Sequence, residues 1–201
     1  MYSNESFYVK YERVEKMIEE ILKYNRKFVD SGDYELFVTG KLPNKNLAIV
    51  TCMDTRLNEL LPAAIGLKNG DAKIIRNAGG VIVHPFGSAV KSLLIAIYHL
   101  GVTEIMVIGH TECGAKHVHA DSMIELMKEE GITEETIKNL EYIGLDLEKW
   151  LSGFKSVEDS VADSVKLLKN HPLIPKKVSI HGFVINTKNG ELTPVPEKIN
   201  I

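Results

Sequence analysis

The sequence predicts an α/β protein: a central, mostly parallel sheet of four strands plus an antiparallel edge strand, helices on both faces, and an N-terminal helical arm. Three observations predict it. Apolar runs of strand length recur at residues 47–51, 72–76, 104–109 and 178–185. Segments of helical apolar periodicity separate them, the alternation that builds a parallel sheet covered by helices. A short final strand follows the fourth across the turn Thr187–Lys188–Asn189–Gly190 and adds an antiparallel edge.

The elements follow in order. Residues 9–29 read as an amphipathic helix, with Val14, Met17, Ile18, Ile21 and Leu22 at three- and four-residue spacing and charges between them. Ser31, Gly32 and Asp33 stop it, so residues 1–40 form the arm. A turn at 43–46 leads into the first strand. Residues 57–65 have helical spacing, and Pro62 is expected to break that helix or start it afresh. A turn at 68–71 enters the second strand. From 87 to 100 the periodicity is helical and apolar nearly all round, so this helix is expected to be well buried, with Gly101 as its C-cap. Residues 121–150 are acidic and read as an insert of two or three short helices. Ser156 is the expected N-cap of an amphipathic helix over 157–169. Pro172 and Pro175 break the chain before the fourth strand, and the final strand lies near 192–195. No repeat or linker divides the chain, so residues 1–201 read as one domain.

Composition narrows the function classes. The 201 residues are 44% hydrophobic and 25% charged with net charge −3, so no basic field invites a nucleic acid. No apolar run approaches the roughly 20 residues that span a bilayer. Met1 to Glu5 lack the basic and apolar regions of a signal peptide. The expectation is a cytoplasmic protein without a membrane partner, whose two cysteines do not form a disulfide.

Those cysteines carry the argument. In an open α/β sheet, ligands sit beyond the carboxyl ends of the strands. Cys52 lies at that end of the first strand and His110 at that end of the third. Side chains of an extended segment alternate, so Cys52, Asp54 and Arg56 are expected on one face. His110 and Cys113, three residues apart, are expected on one side of a turn entering a helix, whose N-terminus favours a thiolate. Two thiolates and an imidazole make the ligand set of a catalytic zinc site, with the fourth position left for water or for Asp54. A carboxylate fixed by Arg56 can accept a proton hydrogen bond and aim the attacking oxygen, a role that a structural zinc site does not need. The competing reading is two buried thiols and a core histidine. It leaves unexplained why both cysteines follow core strands.

At these residues the chain resembles the β-class carbonic anhydrases, in their compact archaeal and bacterial branch. The resemblance rests on Cys52–Met53–Asp54–Thr55–Arg56, on Arg76–Asn77–Ala78–Gly79–Gly80, on Gly109–His110–Thr111–Glu112–Cys113–Gly114 and on His181–Gly182–Phe183. It covers residues 47–195. It implies one zinc ion per chain on Cys52, His110 and Cys113, a catalytic pair of Asp54 and Arg56, and Asp54 as a possible fourth ligand in a closed state. It implies reversible hydration of carbon dioxide to bicarbonate and a proton through a zinc-bound hydroxide. The loop Asn77, Ala78, Gly79 and Gly80, with Gly114, would line the pocket, and the chain would be a homodimer or a dimer of dimers, with the N-terminal helix as a candidate embrace of the partner. Some members place an inhibitory bicarbonate against a tryptophan three residues before the first zinc cysteine. Here that residue is Ile49 and the only tryptophan is Trp150, so no cooperative bicarbonate inhibition is expected in kinetics of the pure protein.

Other readings stay open. The same zinc chemistry would serve carbon disulfide or carbonyl sulfide hydrolysis, and a zinc-bound scaffold without turnover is a third class. The 76–80 loop lacks the Lys–Ser/Thr of a phosphate-binding loop, so a phosphate nest is the weaker reading. His117 and His119 are candidate proton relays, although histidines so placed are more often surface residues.

Overall fold

A computed structural model describes residues 4–197, with side chains from Val14 onward. The chain divides into two compact units, Met1–Gly40 and Lys41–Ile201. The first holds helix α1 (Asn4–Asp30) and a 3-10 turn, Asp33–Phe37. The helix opens at Asn4 rather than at residue 9. It stops where expected, with Gly32 in the left-handed conformation at φ 76°. Val14, Met17, Ile18, Ile21 and Leu22 are each about half exposed.

The second unit runs β1 (Leu47–Cys52), α2 (Leu57–Ala64), β2 (Ala72–Asn77), α3 (Ser88–Leu100), β3 (Glu104–His110), α4 (Ala120–Glu129), α5 (Glu134–Tyr142), α6 (Leu147–Leu151), α7 (Val157–Lys169), β4 (Ser179–Ile185) and β5 (Leu192–Pro194). The five strands form one sheet in the order β2-β1-β3-β4-β5. The β1–β2, β1–β3 and β3–β4 pairs are parallel, and β5 pairs antiparallel with β4. Alternation along the strands sorts the core into two layers. Ala48, Val50, Ile105, Val107 and Ile180 pack with α3 and α7. Ile49, Ile108 and Ile185 pack with Leu57 and Leu61 of α2. Gly182 permits the first of these contacts, since a Cβ there would come within 2.8 Å of Val161 on α7.

Two expectations need correction. α2 runs unbroken through Pro62. A proline costs one bond to the carbonyl four residues earlier, and the burial of Leu57 and Leu61 holds this two-turn helix together. α3 is buried on one face only. Val90, Leu93, Ala96 and Ile97 face the sheet, while Ile95 and Tyr98 are 45% and 63% exposed. Tyr98 reaches outward because its hydroxyl donates to the Leu173 carbonyl (2.9 Å). The helices of 121–150 number three. Ser156 caps α7 as expected, its hydroxyl accepting from the Asp159 N–H (3.1 Å). Among the described residues no helix is long and apolar enough to cross a membrane.

Candidate metal centre

The strand order puts β2 on one side of β1 and β3 on the other. The gap between β1 and β3 is therefore the switch point, where helices leave in opposite directions and a ligand can enter. Cys52 closes β1 and His110 closes β3, so the two residues stand side by side at that gap. Cys113 follows His110 by one turn. The ligand atoms of Cys52, His110 and Cys113 all lie within 4.8 Å of one another and all three residues are buried. Among the described residues no other group of three or more His, Cys, Asp or Glu side chains could hold a metal ion.

The donor set fits zinc. The two sulfurs are 4.0 Å apart, far beyond the ~2.05 Å of a disulfide. Tetrahedral zinc with ~2.3 Å bonds holds two sulfurs about 3.8 Å apart. His110 Nδ1 lies 2.9 Å from the Thr111 carbonyl and donates to it, which leaves Nε2 with a free lone pair. Among the described residues, Nε2 is the one buried side-chain nitrogen or oxygen without a hydrogen-bond partner. Such an atom is costly unless something binds it. Burial holds the imidazole below its ordinary pKa, against the opposing Thr111 bond, so the neutral form that a metal needs is favoured.

Cys113 differs from the sequence expectation. Cys113 precedes a 3-10 turn of four residues, Gly114–His117, not a long helix. The Ala115 N–H lowers its pKa, but burial is the larger effect, and the neighbouring Cys52 adds to it, so Cys113 is pushed up. Two buried thiolates side by side need a cation between them.

Asp54 and Arg56 meet as expected, but by another route. The chain does not stay extended. Arg56 adopts helical angles (φ −61°, ψ −22°) at the entrance of α2. Asp54 Oδ1 accepts from the Arg56 backbone N–H (2.9 Å) and from Nε (3.0 Å), and Oδ2 accepts from Nη2 (2.8 Å). A turn therefore does what strand alternation was expected to do. Oδ2 also lies 3.9 Å from His110 Nε2, so the carboxylate borders the metal site. The Arg56 hydrogen bond, outweighing partial burial, lowers the Asp54 pKa to about 2. The folded value lies below the unfolded one, so the stabilisation is complete above about pH 4 and is lost as pH falls through the folded value. In metal-free protein, Asp54→Asn is thus expected to lower stability to urea at pH 5, with the gap to the parent closing towards pH 2. A gap independent of pH would contradict this.

The loop after β2 closes one side. Asn77 ties it in both directions, its side-chain amide donating to the Val81 carbonyl (2.8 Å) and its carbonyl accepting from the Val81 N–H (3.1 Å). Ala78 is exposed, whereas Gly79 and Gly80 are buried. Gly80 has φ +66°, and a Cβ there would stand 2.6 Å from the Cys52 nitrogen. Glycine is required on both counts. Gly80→Ala is expected to push Cys52 out of place, lowering both zinc content and melting temperature. Unchanged zinc content and melting would show that the close approach is unimportant. At Gly114 a Cβ would meet nothing within 4 Å, so crowding does not explain that glycine.

Arg76 and Thr111 stand inside the sequence motifs, but the sequence pointed to a positioning role for neither. Arg76 donates from Nη1 to the Cys52 carbonyl and from Nη2 to the Leu57 carbonyl, both at 3.2 Å, bracketing the turn that carries Asp54 and Arg56. The available signal was a cationic side chain next to the carboxyl end of a strand, where ligands gather. The Thr111 carbonyl that orients His110 left no trace in the sequence, because any residue supplies one. His117 and His119 are exposed.

Comparison with known proteins agrees with the geometry. The family model "Carbonic anhydrase" matches residues 47–192. The chain is 53% identical over 175 residues to the Bacillus subtilis protein named "Putative carbonic anhydrase YvdA", covering 87% of this chain and 89% of that one. It is 33% identical over 169 residues to a carbon disulfide hydrolase of Acidithiobacillus thiooxidans, covering 78% and 82%. The crystal structure of β-carbonic anhydrase isoform I from Trichomonas vaginalis aligns with a TM-score of 0.81 at 39% identity, covering 90% and 98%. With a switch-point Cys–His–Cys group, a neighbouring aspartate–arginine pair and these relatives, the chain belongs to the carbonic anhydrase family, as an enzyme of the β class.

Proposed function

We propose that this protein catalyses the reversible hydration of carbon dioxide to bicarbonate and a proton, with one zinc ion per chain on Cys52, His110 and Cys113. The observation that carries the reading is the buried Cys–His–Cys group with the Asp54 carboxylate at its edge. Zinc, when bound, supplies a Lewis acid that makes water a nucleophile near neutral pH.

The chain's own residues do the rest. Asp54 Oδ2 faces His110 Nε2 and keeps capacity for one further hydrogen bond from an attacking water. A carboxylate with a pKa of about 2 does not hold a proton at neutral pH. Asp54 therefore orients the nucleophile, and the proton released in the reaction passes to buffer. Arg56 keeps the carboxylate ionised and fixed. Moving Asp54 onto the metal as a fourth ligand would break its three bonds from Arg56, so the open arrangement is the proposed working state. Asn77, Ala78, Gly79, Gly80 and Gly114 form the proposed wall of the pocket.

A second reading is favoured by the carbon disulfide hydrolase relative, which is alike over most of its length. Initial rates on carbon dioxide and on carbon disulfide, measured side by side on one zinc-loaded preparation, separate the two. Faster carbon dioxide turnover supports the proposal; faster release of hydrogen sulfide replaces it.

Residues 1–201 are proposed to work as one β-carbonic-anhydrase domain in the cytoplasm, as a homodimer or dimer of dimers. The half-exposed apolar stripe of α1 supports a partner for the arm. Light scattering on the purified chain is expected to give twice or four times the 22.4 kDa chain mass, and a monomer would contradict it.

A further inference from the structure

We propose that Glu112 is a positioning residue for the Asp54–Arg56 pair, acting through Arg56 and itself held by Lys188. The inference rests on the reading that Asp54 orients the attacking water.

Three observations carry it. First, Glu112 has φ +55°, and among the described residues only Asn46 shares a positive φ without being glycine. Asparagine enters that region readily, whereas glutamate does so at a cost. Such a conformation persists where surrounding contacts impose it, and it clusters at functional sites. Second, the conformation serves Arg56. It presents the Glu112 carbonyl to Arg56 Nη2 (3.0 Å) and leaves carboxylate Oε2 3.5 Å from Nη1. Asp54 holds one side of the guanidinium through Nε and Nη2, and Glu112 holds the other through Nη2 and Nη1. The plane of the guanidinium, and with it the carboxylate of Asp54, is fixed from both sides. Third, Glu112 is anchored from a distant element. Its Oε1 lies 2.8 Å from Lys188 Nζ in the turn between β4 and β5. That turn docks on the same segment, since the Thr187 N–H donates to Thr111 Oγ1 (3.0 Å) and the two threonine hydroxyls are 3.1 Å apart. Glu112 is thus the point where the β1–α2 turn, the end of β3 and the β4–β5 turn meet.

Glu112 is half exposed, and exposed ion pairs contribute little to folding. What it supplies is alignment, to which a reacting geometry is sensitive. In zinc-loaded full-length protein, E112Q is expected to lower kcat for carbon dioxide hydration about fivefold, the scale of one exposed charge pair, with KM and zinc content unchanged. E112G, which keeps the left-handed backbone without strain, is expected to show the same loss, and K188M a smaller one. In an R56K background, E112Q is expected to change kcat by less than about twofold, since residues acting as a unit are not additive. A physical readout runs alongside. Exchange of the Arg56 Nε–H with water, followed by nuclear magnetic resonance, is expected to speed up in E112Q. Parent-like kcat in both E112Q and E112G, an equal loss in the R56K background, or unchanged Nε–H exchange would overturn the inference. If the parent protein itself does not hydrate carbon dioxide, the functional reading fails, and the exchange measurement still decides whether Glu112 fixes Arg56.

Discussion

Cys52→Ser is expected to abolish carbon dioxide hydration by removing the zinc. A serine hydroxyl stays protonated where a thiol can be deprotonated by a metal, so the site would keep one imidazole and one thiolate. Loss of partners that merely orient zinc ligands costs 10- to 100-fold in affinity, so loss of a ligand should exceed about 100-fold. Cys52 is 5% exposed at the end of β1, and the substitution is nearly isosteric, so the sheet should persist. Zinc per chain, measured by atomic emission after exhaustive dialysis, is expected to fall from one to near zero, with turnover falling in proportion. The melting temperature should fall too, since a ligand that binds only the folded chain stabilises it. A C52S protein that keeps one zinc and full turnover would remove Cys52 from the metal site.

Asp54→Asn is expected to give the opposite pattern: zinc retained and turnover lost. Asparagine matches aspartate in shape, but its side chain carries no charge and turns one acceptor oxygen into a donor. Arg56 then loses its charged partner, and the attacking water loses the acceptor that orients it. Positioned proton acceptors contribute roughly 10²- to 10⁴-fold, so kcat should fall by at least about 100-fold. Zinc should stay near one per chain because Asp54 is bound to Arg56 rather than grouped with Cys52, His110 and Cys113. Full activity in D54N would mean that the aspartate–arginine pair is structural.

Much of this site was legible in the sequence because the fold places strand ends together. Apolar runs located β1 and β3, and an α/β sheet presents the carboxyl ends of its parallel strands on one rim. Cys52 and His110 could therefore be brought together from 58 positions apart. The order of the strands was not legible, and it is the order that makes the two strands direct neighbours. Local conformation was also beyond reach. Alternation along an extended strand correctly paired Asp54 with Arg56, but the chain turns after Asp54 and the pair forms across that turn. At Pro62 the helix continues because the burial of Leu57 and Leu61 outweighs one lost backbone bond, a balance that a lone proline in the sequence does not reveal. α3 showed that apolar composition alone does not say how many faces a sheet will cover. The positive φ of Glu112 and the Thr111 carbonyl beside His110 are backbone features that no residue pattern announces, and the partners of Arg76 are backbone carbonyls too.

The most direct measurement of the central claim is stopped-flow hydration of carbon dioxide by zinc-loaded protein at about pH 7 and pH 8.5, a span over which zinc-activated water ionises. The account predicts rapid turnover that scales with bound zinc and is present at both values, as an open site with Asp54 on Arg56 requires. Protein carrying one zinc per chain that fails to hydrate carbon dioxide at either value would contradict it.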